Sequence, residues 1–309
     1  MQYNDNAQLD TSVVEDGRSG GLGLGGLAAG GGGLGIVGII IVVLLNVLGG
    51  GSSSGLPGGL SGLSGVGTSG VSSVDDGQLA ASCRTGKDAN TRTDCAVVAD
   101  IESIEDYWKN ELPSLGVSYV HAPTHFFRGQ TSTGCGAADT GVGPFYCPAD
   151  KHVYIDLSFF DELRTQFGAT GGSFVNAYVL AHEYGHHVQD LLGVSSRVRQ
   201  GVPGPASDSV RLELQADCYA GVWAHSATTV PGPDGQPLIT SITSSDVAAA
   251  LDTAGRIGDD WIQTHLGSGQ VDQSQFTHGT SAEREKWFST GYSTGAPERC
   301  DTFSATSLG

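Results

Sequence analysis

Three histidines and a glutamate stand in one apolar, helix-like stretch of the chain, VLAHEYGHHVQDLLG, from Val179 to Gly193. His182 and His186 are four residues apart, so in a helix they lie on one face, one turn from each other. Their ring nitrogens can then reach a single cation at roughly 2 Å. Glu183 projects about 100° around the helix and can reach a water molecule on that cation without being a ligand. The spacing predicts a metal site with a general base beside it.

The alternative is that these residues are ordinary polar groups on a helix surface. Their neighbours disfavour it, because most of them are apolar: Val179, Leu180, Ala181, Val188, Leu191 and Leu192. Buried ionisable groups must be paired or coordinated. His187 points away from the ligand face, which favours a supporting or surface role. Asp190, one turn after His186, could orient that histidine or remain solvated.

A catalytic zinc ion needs a third protein ligand and one open position. A third histidine on the same motif is excluded, because Leu192 stands where it would lie. The next predicted helix carries RLELQADCYAG, in which Glu213 and Asp217 are four residues apart and share a face. Glu213 can complete the ligand set, and Asp217 can accept the free ring N–H of a zinc-bound histidine. The two spaced pairs predict one Zn²⁺ ion held by His182, His186 and Glu213.

Zinc in such a site acidifies water and polarises a carbonyl group. Glu183 would accept the proton of the attacking water and deliver it to the leaving amine. A second donor to the oxyanion is expected nearby. The candidates are His225, His278, Tyr219 and Tyr184. His278 is favoured, because in FTHGTSAEREKWF it stands just before the last predicted helix, on a loop that could reach the metal. A helix-capping or surface role is its alternative.

The elements predicted around these residues are a few strands early in the chain and helices late. AVVADIESIEDYWKNEL has apolar residues at three- and four-residue spacing and predicts an amphipathic helix. VSYVHAPTHFFRG and HVYIDLSFF are typical of strands. Three later helices are predicted to begin at Ser207 or Asp208, at Ser244 or Ser245, and at a capping box from Thr280 to Glu283. This order predicts an α+β, zincin-like domain with a small N-terminal β-sheet and a helical C-terminal part.

The N-terminal quarter has a different composition. No charged residue occurs from Ser19 to Val74. We expect a polar cytoplasmic tail over 1–20, a transmembrane helix with a Gly-rich approach over 21–48, and a Gly/Ser-rich linker over 49–74. The folded domain would then span 75–309. A cleaved signal peptide fits poorly, because the apolar run follows an acidic tail rather than a basic one.

The charge balance narrows the possible partners. The 33 acidic residues exceed the 15 basic ones, for a net charge of −18. This excess disfavours binding to nucleic acid or to an anionic lipid surface. The expected partners are a protein or peptide substrate and, through the single predicted helix, the lipid bilayer.

The cysteines bear on the compartment. Six cysteines fall in the predicted domain: Cys83, Cys95, Cys135, Cys147, Cys218 and Cys300. An even number beyond a membrane suggests disulfides and an oxidising compartment. Proximity in the sequence suggests the pairs Cys83–Cys95 and Cys135–Cys147, each closing a short loop, which leaves Cys218 to pair with Cys300. Six reduced thiols remain the alternative, and a thiolate zinc site is disfavoured because no C-x-x-C pair occurs.

Four stretches together resemble the neutral zinc metallopeptidase family of bacterial membrane-anchored proteins: VLAHEYGHHVQDLLG, LELQADCYAGVWAH, FTHGTSAEREKWF and GPFYCPADKHVYIDLSFF. The resemblance covers roughly Asp75 to Phe303 and the predicted anchor. It implies a small gluzincin-like domain, with His182, His186 and Glu213 as zinc ligands and Glu183 as general base.

The sequence therefore predicts a zinc-dependent endopeptidase. It would be anchored in the cell membrane by one helix and would act on proteins or peptides on the extracytoplasmic side. Two other functions stay open. One is a catalytically idle zincin-fold module that binds proteins of the cell envelope, although such a module has no need of Glu183 as a base. The other is a zinc hydrolase of a cell-wall cross-link.

Overall fold

The computed structural model describes residues 1–18, 76–199, 202–232 and 234–309. These residues form an α+β fold, as predicted from the order of the elements. The strands are β1 (Gln2–Tyr3), β2 (Val14–Asp16), β3 (Thr124–Phe127), β4 (Gln130–Thr133), β5 (Gly136–Asp139), β6 (Phe145–Cys147), β7 (His152–Asp156) and β8 (Ile239–Ser241). The helices are α1 (Asp76–Ser82), α2 (Gly86–Ala89), α3 (Thr93–Glu111), α4 (Phe159–Thr165), α5 (Ser173–Leu191), α6 (Asp208–Ser226), α7 (Ser244–Arg256), α8 (Asp259–His265) and α9 (Ser281–Thr294).

A four-stranded mixed sheet covers helix α5. Its strand order is β2-β3-β7-β6, in which β2, β3 and β7 run parallel and β6 is antiparallel to β7. Alternate residues point into the core, among them Val14, Phe126 and Val153, which are at most 2% exposed. Strand β6 is an edge of this sheet and packs on α5. The edge strand therefore lies beside the helix that carries the three neighbouring histidines.

Helices α5, α6 and α9 pack as a layer in which glycines permit close approach. A Cβ atom on Gly185 of α5 would lie 3.0 Å from the Ala216 Cα of α6. On Gly291 of α9 it would lie 1.9 Å from the Cys218 carbonyl oxygen. No Cβ can lie 1.9 Å from backbone, so the α6–α9 crossing requires glycine at position 291, and a Cβ at position 185 would crowd the α5–α6 crossing. These two crossings bring the buried faces of α6 and α9 next to the histidines of α5.

Helix ends and disulfides agree with most of the sequence-based expectations. The Ser207 hydroxyl accepts a hydrogen bond from the Val210 N–H and begins α6, and Thr280 forms a capping box with Glu283 at the start of α9. The cap of α7 is Thr243, one residue earlier than predicted. The disulfides Cys83–Cys95, Cys135–Cys147 and Cys218–Cys300 are all formed.

Residues 1–18 belong to the same folded body as the rest of the described chain, although the sequence analysis set them apart as a tail. Strand β1 pairs antiparallel with β8, and β2 extends the main sheet beside β3. The Tyr3 hydroxyl donates to Asp100 Oδ1 of α3 at 2.8 Å. Arg18 lies 3.5 Å from Asp94 on the same helix. The segment thus covers charged groups that α3 presents on its buried side.

The predicted transmembrane helix is corrected. No helix in the described part of the chain is both long enough and apolar enough to cross a bilayer. The run over 21–48 and the linker over 49–74 lie outside the described residues. Strand β2, which precedes this run, pairs with β3, which follows it, in one sheet. Hydropathy is local, and it could not reveal a pairing between strands a hundred residues apart.

Burial of Glu102 under residues 1–18 predicts a pH dependence of stability. Glu102 is 4% exposed and accepts a hydrogen bond from the Asp10 N–H, while its Oε2 atom has no partner among the described residues. Burial, with help from nearby carboxylates, raises the pKa of Glu102 from 4.5 to about 9. The folded state therefore binds a proton that the unfolded state releases above pH 4.5. The free energy of unfolding should fall as the pH rises from about 4.5 towards about 9.

Glu102→Gln should remove this dependence, because a neutral amide can occupy the same place. We expect the variant to be more stable than the wild type by about 2 kcal/mol at pH 8 and nearly equal to it near pH 4. Urea denaturation at the two pH values measures the difference. Glu111→Gln, at the end of the same helix, is the matched control. A loss of stability at pH 8 would show that Glu102 is ionised and paired in the fold.

Candidate metal centre

Helices α5 and α6 bring the three predicted ligands together. One nitrogen each from His182 and His186 and one carboxylate oxygen of Glu213 lie within 4.8 Å of one another. Glu213 Oε2 is 3.1 Å from His182 Nε2, and Glu213 Oε1 is 3.5 Å from His186 Nε2. His182 and Glu213 are 7% and 3% exposed. These groups are close enough to share one small cation.

The ring of His182 is held by a buried network on its other side. His182 Nδ1 lies 2.9 Å from Asp217 Oδ1. Arg284 of α9 donates to both oxygens of Asp217, at 2.8 and 3.0 Å, and the Tyr178 hydroxyl donates to Oδ1 at 2.7 Å. Burial opposes the charge of Asp217, but Arg284 and His182 outweigh it and lower its pKa to about 2. The ionised carboxylate holds the proton of His182 on Nδ1 and leaves Nε2 facing Glu213.

His186 is oriented by a second network, and not by Asp190 as considered from the sequence. Its Nδ1 atom lies 2.9 Å from Gln189 Oε1. The Gln189 amide nitrogen donates to the Leu212 carbonyl oxygen at 2.7 Å and to Gln215 Oε1 at 3.1 Å. The Leu212 and Gln215 oxygens can only accept hydrogen bonds, so the amide nitrogen of Gln189 must lie on their side. The Gln189 oxygen therefore faces His186. His186 Nδ1 therefore carries a proton, and Nε2 presents a lone pair.

This donor set fits a zinc ion. Two imidazole lone pairs and a carboxylate oxygen face one another, and such an arrangement is repulsive unless a proton or a metal ion lies between them. Burial opposes the charge of His182, but Asp217 and Glu213 together raise its pKa to about 10, so the pocket attracts positive charge. Neutral nitrogen ligands with one carboxylate are a ligand set that Zn²⁺ accepts.

Glu183 lies beside this group but outside it. Its side chain is buried, and its Oε2 atom accepts a hydrogen bond from the Tyr146 N–H of edge strand β6 at 3.0 Å. Burial raises the pKa of Glu183, while the two neighbouring histidines act in the opposite direction. A carboxyl group with a raised pKa can both accept and release a proton near neutral pH.

His278 lies on a loop that packs over the start of α6. Asp259 Oδ2 accepts hydrogen bonds from three successive backbone N–H groups, those of Thr277, His278 and Gly279, at 2.7–2.9 Å. Asp259 Oδ1 is 3.4 Å from His278 Nδ1. Burial opposes the charge of His278, but Glu213 and Asp259 outweigh it and raise its pKa. The partly buried His278 ring therefore belongs to the electrostatic environment of Glu213.

The other oxyanion candidates lie in unrelated surroundings. His225 is exposed, and its Nδ1 atom lies 2.7 Å from the Tyr292 carbonyl oxygen. The Tyr184 hydroxyl is buried with Ala122 and Thr124. Tyr219 packs edge-on against Trp108 in the core. Among the four candidates, His278 is the one whose charge interacts with Glu213.

Sequence reasoning missed the residues that hold the candidate ligands in place. No role was predicted from the sequence for Gln189, Tyr178, Gln215, Arg284 or Asp259. Arg284 follows the capping box of α9 by one residue, and Asp259 begins a short helix. Arg284 bonds to Asp217, 67 residues earlier, so no local sequence pattern identified it.

Arg284→Met should weaken zinc binding. Without the guanidinium, the Asp217 carboxylate is buried with less compensation and orients His182 less strictly. Loss of such an outer partner typically weakens metal affinity about 10–100-fold. Competition with a fluorescent chelator measures the dissociation constant, and circular dichroism checks folding. Lys286→Met, an exposed position two residues later on the same helix, is the control. Equal zinc affinity in the two variants would show that Arg284 serves packing alone.

Comparison with known proteins agrees with these motifs. Residues 1–303 match the family described as "Putative neutral zinc metallopeptidase". The uncharacterized protein Rv2575 of Mycobacterium tuberculosis is 50% identical over 230 residues, which are 74% of this chain and 77% of that protein. The uncharacterized protein YpfJ of Escherichia coli K12 is 44% identical over 208 residues, 66% of this chain and 69% of that protein. No solved structure gives a significant match. The chain belongs to the neutral zinc metallopeptidase family, as the resemblance in its motifs had implied.

Proposed function

We propose that this chain is a zinc-dependent endopeptidase that uses one Zn²⁺ ion, with His182, His186 and Glu213 as ligands and Glu183 as general base. Membership of the family implies zinc and a protein or peptide substrate. One observation carries the finer proposal. Three potential ligand atoms, two imidazole nitrogens and one carboxylate oxygen, lie within 4.8 Å of one another. A separate buried carboxylate lies on the same helix, one residue from the first histidine.

The roles follow from what each group can do. A bound zinc ion would act as a Lewis acid, acidifying water and polarising the scissile carbonyl. Glu183 accepts the proton of the attacking water and then donates it to the leaving amine. His278, held by Asp259, donates to the oxyanion that forms as the carbonyl is attacked. Asp217 and Gln189 keep the two imidazoles in the tautomer that the ligand role requires.

The position of strand β6 favours a peptide as substrate. Its only strand partner in the described residues is β7, so no strand is paired to its other edge there. The Tyr146 N–H projects from that edge towards Glu183. An extended peptide that adds to this edge by backbone hydrogen bonds would run past the proposed base and metal. A hydrolase of a sugar or of a branched cross-link does not need a strand edge to bind its substrate.

The disulfides support a location outside the cytoplasm. Three are formed, and no cysteine among the described residues is free. Disulfides form and persist in oxidising compartments and are rare in the reducing cytosol. We therefore propose that the enzyme meets its substrates on the extracytoplasmic side.

The test uses the full chain loaded with zinc and a broad peptide library, with cleavage products read by mass spectrometry. We expect cleavage that a chelator abolishes and added Zn²⁺ restores. Isolated cell-wall muropeptides form a second arm, and cleavage of these alone would support the cross-link hydrolase instead. If the zinc-loaded chain cleaves neither substrate, the protein is a zinc-containing binding module and the peptidase proposal is wrong.

A further inference from the structure

We propose that His187 is a positioning residue of this enzyme, which fixes edge strand β6 over the proposed general base through the side chain of Tyr146. The proposal rests on the proposed function, but its geometry does not involve the metal ligands. One residue of β6, Tyr146, contacts three residues of α5. These are Glu183, His187 and Asp190.

The three contacts lie along one face of α5. Residues at positions i, i+4 and i+7 follow one another on the same side of a helix. Glu183 accepts from the Tyr146 N–H at 3.0 Å. The Tyr146 hydroxyl lies 3.1 Å from His187 Nδ1 and 3.2 Å from Asp190 Oδ2. The backbone and the side-chain tip of Tyr146 are thus both attached to this helix.

His187 is itself firmly held. It is fully buried, and its Nε2 atom lies 2.6 Å from the Val120 carbonyl oxygen. A carbonyl only accepts, so Nε2 carries a proton and donates it to Val120. The ring also packs edge-on or tilted against Tyr119 and Tyr146, with ring centroids 5.7 and 5.2 Å apart. A polar ring in this apolar setting has one further polar contact to make, and that contact is the Tyr146 hydroxyl.

Strand β6 needs such an attachment. It is three residues long and, in the part of the chain that the structure describes, pairs with one strand. Backbone pairing with β7 sets its register in the sheet, but those hydrogen bonds do not involve α5. The Tyr146 clamp, defined as the contacts of Tyr146 with Glu183, His187 and Asp190, attaches the strand to α5. It thereby keeps the Tyr146 N–H on Glu183 and holds the edge on which a peptide would pair.

The first arm of the test is hydrogen exchange of the Tyr146 amide in the full-length chain. We expect Tyr146→Phe, His187→Ala and the double variant to raise the exchange rate at least about tenfold over the wild type. Tyr154→Phe is the matched control, because it also removes a tyrosine hydroxyl, on the adjacent strand β7. That hydroxyl donates to Asp150 and not to a residue of α5. This arm measures the resting protein, so it decides the proposal even if no peptide is cleaved. Unchanged exchange in Tyr146→Phe and His187→Ala would overturn it.

The second arm is steady-state cleavage of a library peptide with zinc content verified. We expect kcat to fall about tenfold in Tyr146→Phe and in His187→Ala, with a smaller change in KM. The double variant should be no worse than Tyr146→Phe, because loss of the Tyr146 hydroxyl already removes its contact with His187. His187→Asn, which keeps a polar atom near Tyr146, should recover part of the loss. Additive losses, or an equal loss in Tyr154→Phe, would indicate general destabilisation and contradict the clamp.

Discussion

We expect Glu183→Gln to lower kcat for peptide cleavage by about 10³-fold or more, with zinc content unchanged from the wild type. The expected size follows from general acid–base catalysis, which typically contributes about 10²–10⁴-fold. Glutamine has nearly the same shape as glutamate, and its oxygen can still accept from the Tyr146 N–H. What it cannot do is take a proton from water and return it to an amine. The change therefore separates proton transfer from metal binding and from folding.

The measurement pairs steady-state kinetics with metal analysis of the same samples. Glu285→Gln, an exposed position on α9, is the control for the loss of one negative charge. Active Glu183→Gln with full zinc would mean that another group is the base. Cleavage that falls in proportion to zinc content would mean that Glu183 helps to hold the metal, which its place outside the three clustered donor atoms argues against.

The parts of the site that follow from helical periodicity could be predicted from the sequence. His182 and His186 are one turn apart, and so are Glu213 and Asp217. Each pair needs only a local helix to share a face. That the two pairs meet depends on α5 and α6 packing closely, and Gly185 is the sequence feature that permits it. Its importance emerges only when the position of Ala216 is known.

Contacts between distant parts of the chain could not be predicted in the same way. Arg284 lies 67 residues after the Asp217 it pairs with, and Tyr146 lies 37 residues before Glu183. Neither Arg284 nor Tyr146 belongs to a local sequence pattern from which its partner could be predicted. The N-terminal segment is the larger case. Its acidic character suggested a solvated tail, but its strand β2 pairs with β3, and Tyr3 reaches Asp100.

The same reasoning explains why the sequence left His187 open between a supporting and a surface role, of which burial excludes the surface role. Helical periodicity correctly turns it away from the ligand face. Periodicity cannot predict which strand packs on the other side of α5. That strand is β6, and the hydroxyl of its Tyr146 contacts His187. A motif on one helix thus locates the proposed metal ligands and leaves the groups that contact strand β6 unassigned.

Glu213→Gln is expected to remove most of the zinc affinity and to do so more severely than any change around the ligands. Structural zinc sites bind with about 10–16 kcal/mol for four ligands, so one ligand contributes roughly 3–4 kcal/mol, or on the order of 10²–10³-fold in Kd. The loss should exceed the effect of Asp217→Asn, which changes only how His182 is oriented, and Glu183→Gln should bind as the wild type does. Chelator competition gives the three affinities. The increase in Tm on adding zinc gives a second reading, since a ligand stabilises the fold only as far as it binds.

The order of the affinities is the deciding result. Wild type and Glu183→Gln should bind most tightly, Asp217→Asn less, and Glu213→Gln least. If Glu213→Gln binds zinc as tightly as the wild type, its carboxylate is not a ligand, although it lies 3.1 Å from His182 Nε2. The lone pairs of the two imidazoles would then need another third partner. His278 is the first to examine, because its charge already interacts with that of Glu213. In that case His278 would be reassigned as a metal ligand. Another residue would then have to be identified as the hydrogen-bond donor to the oxyanion.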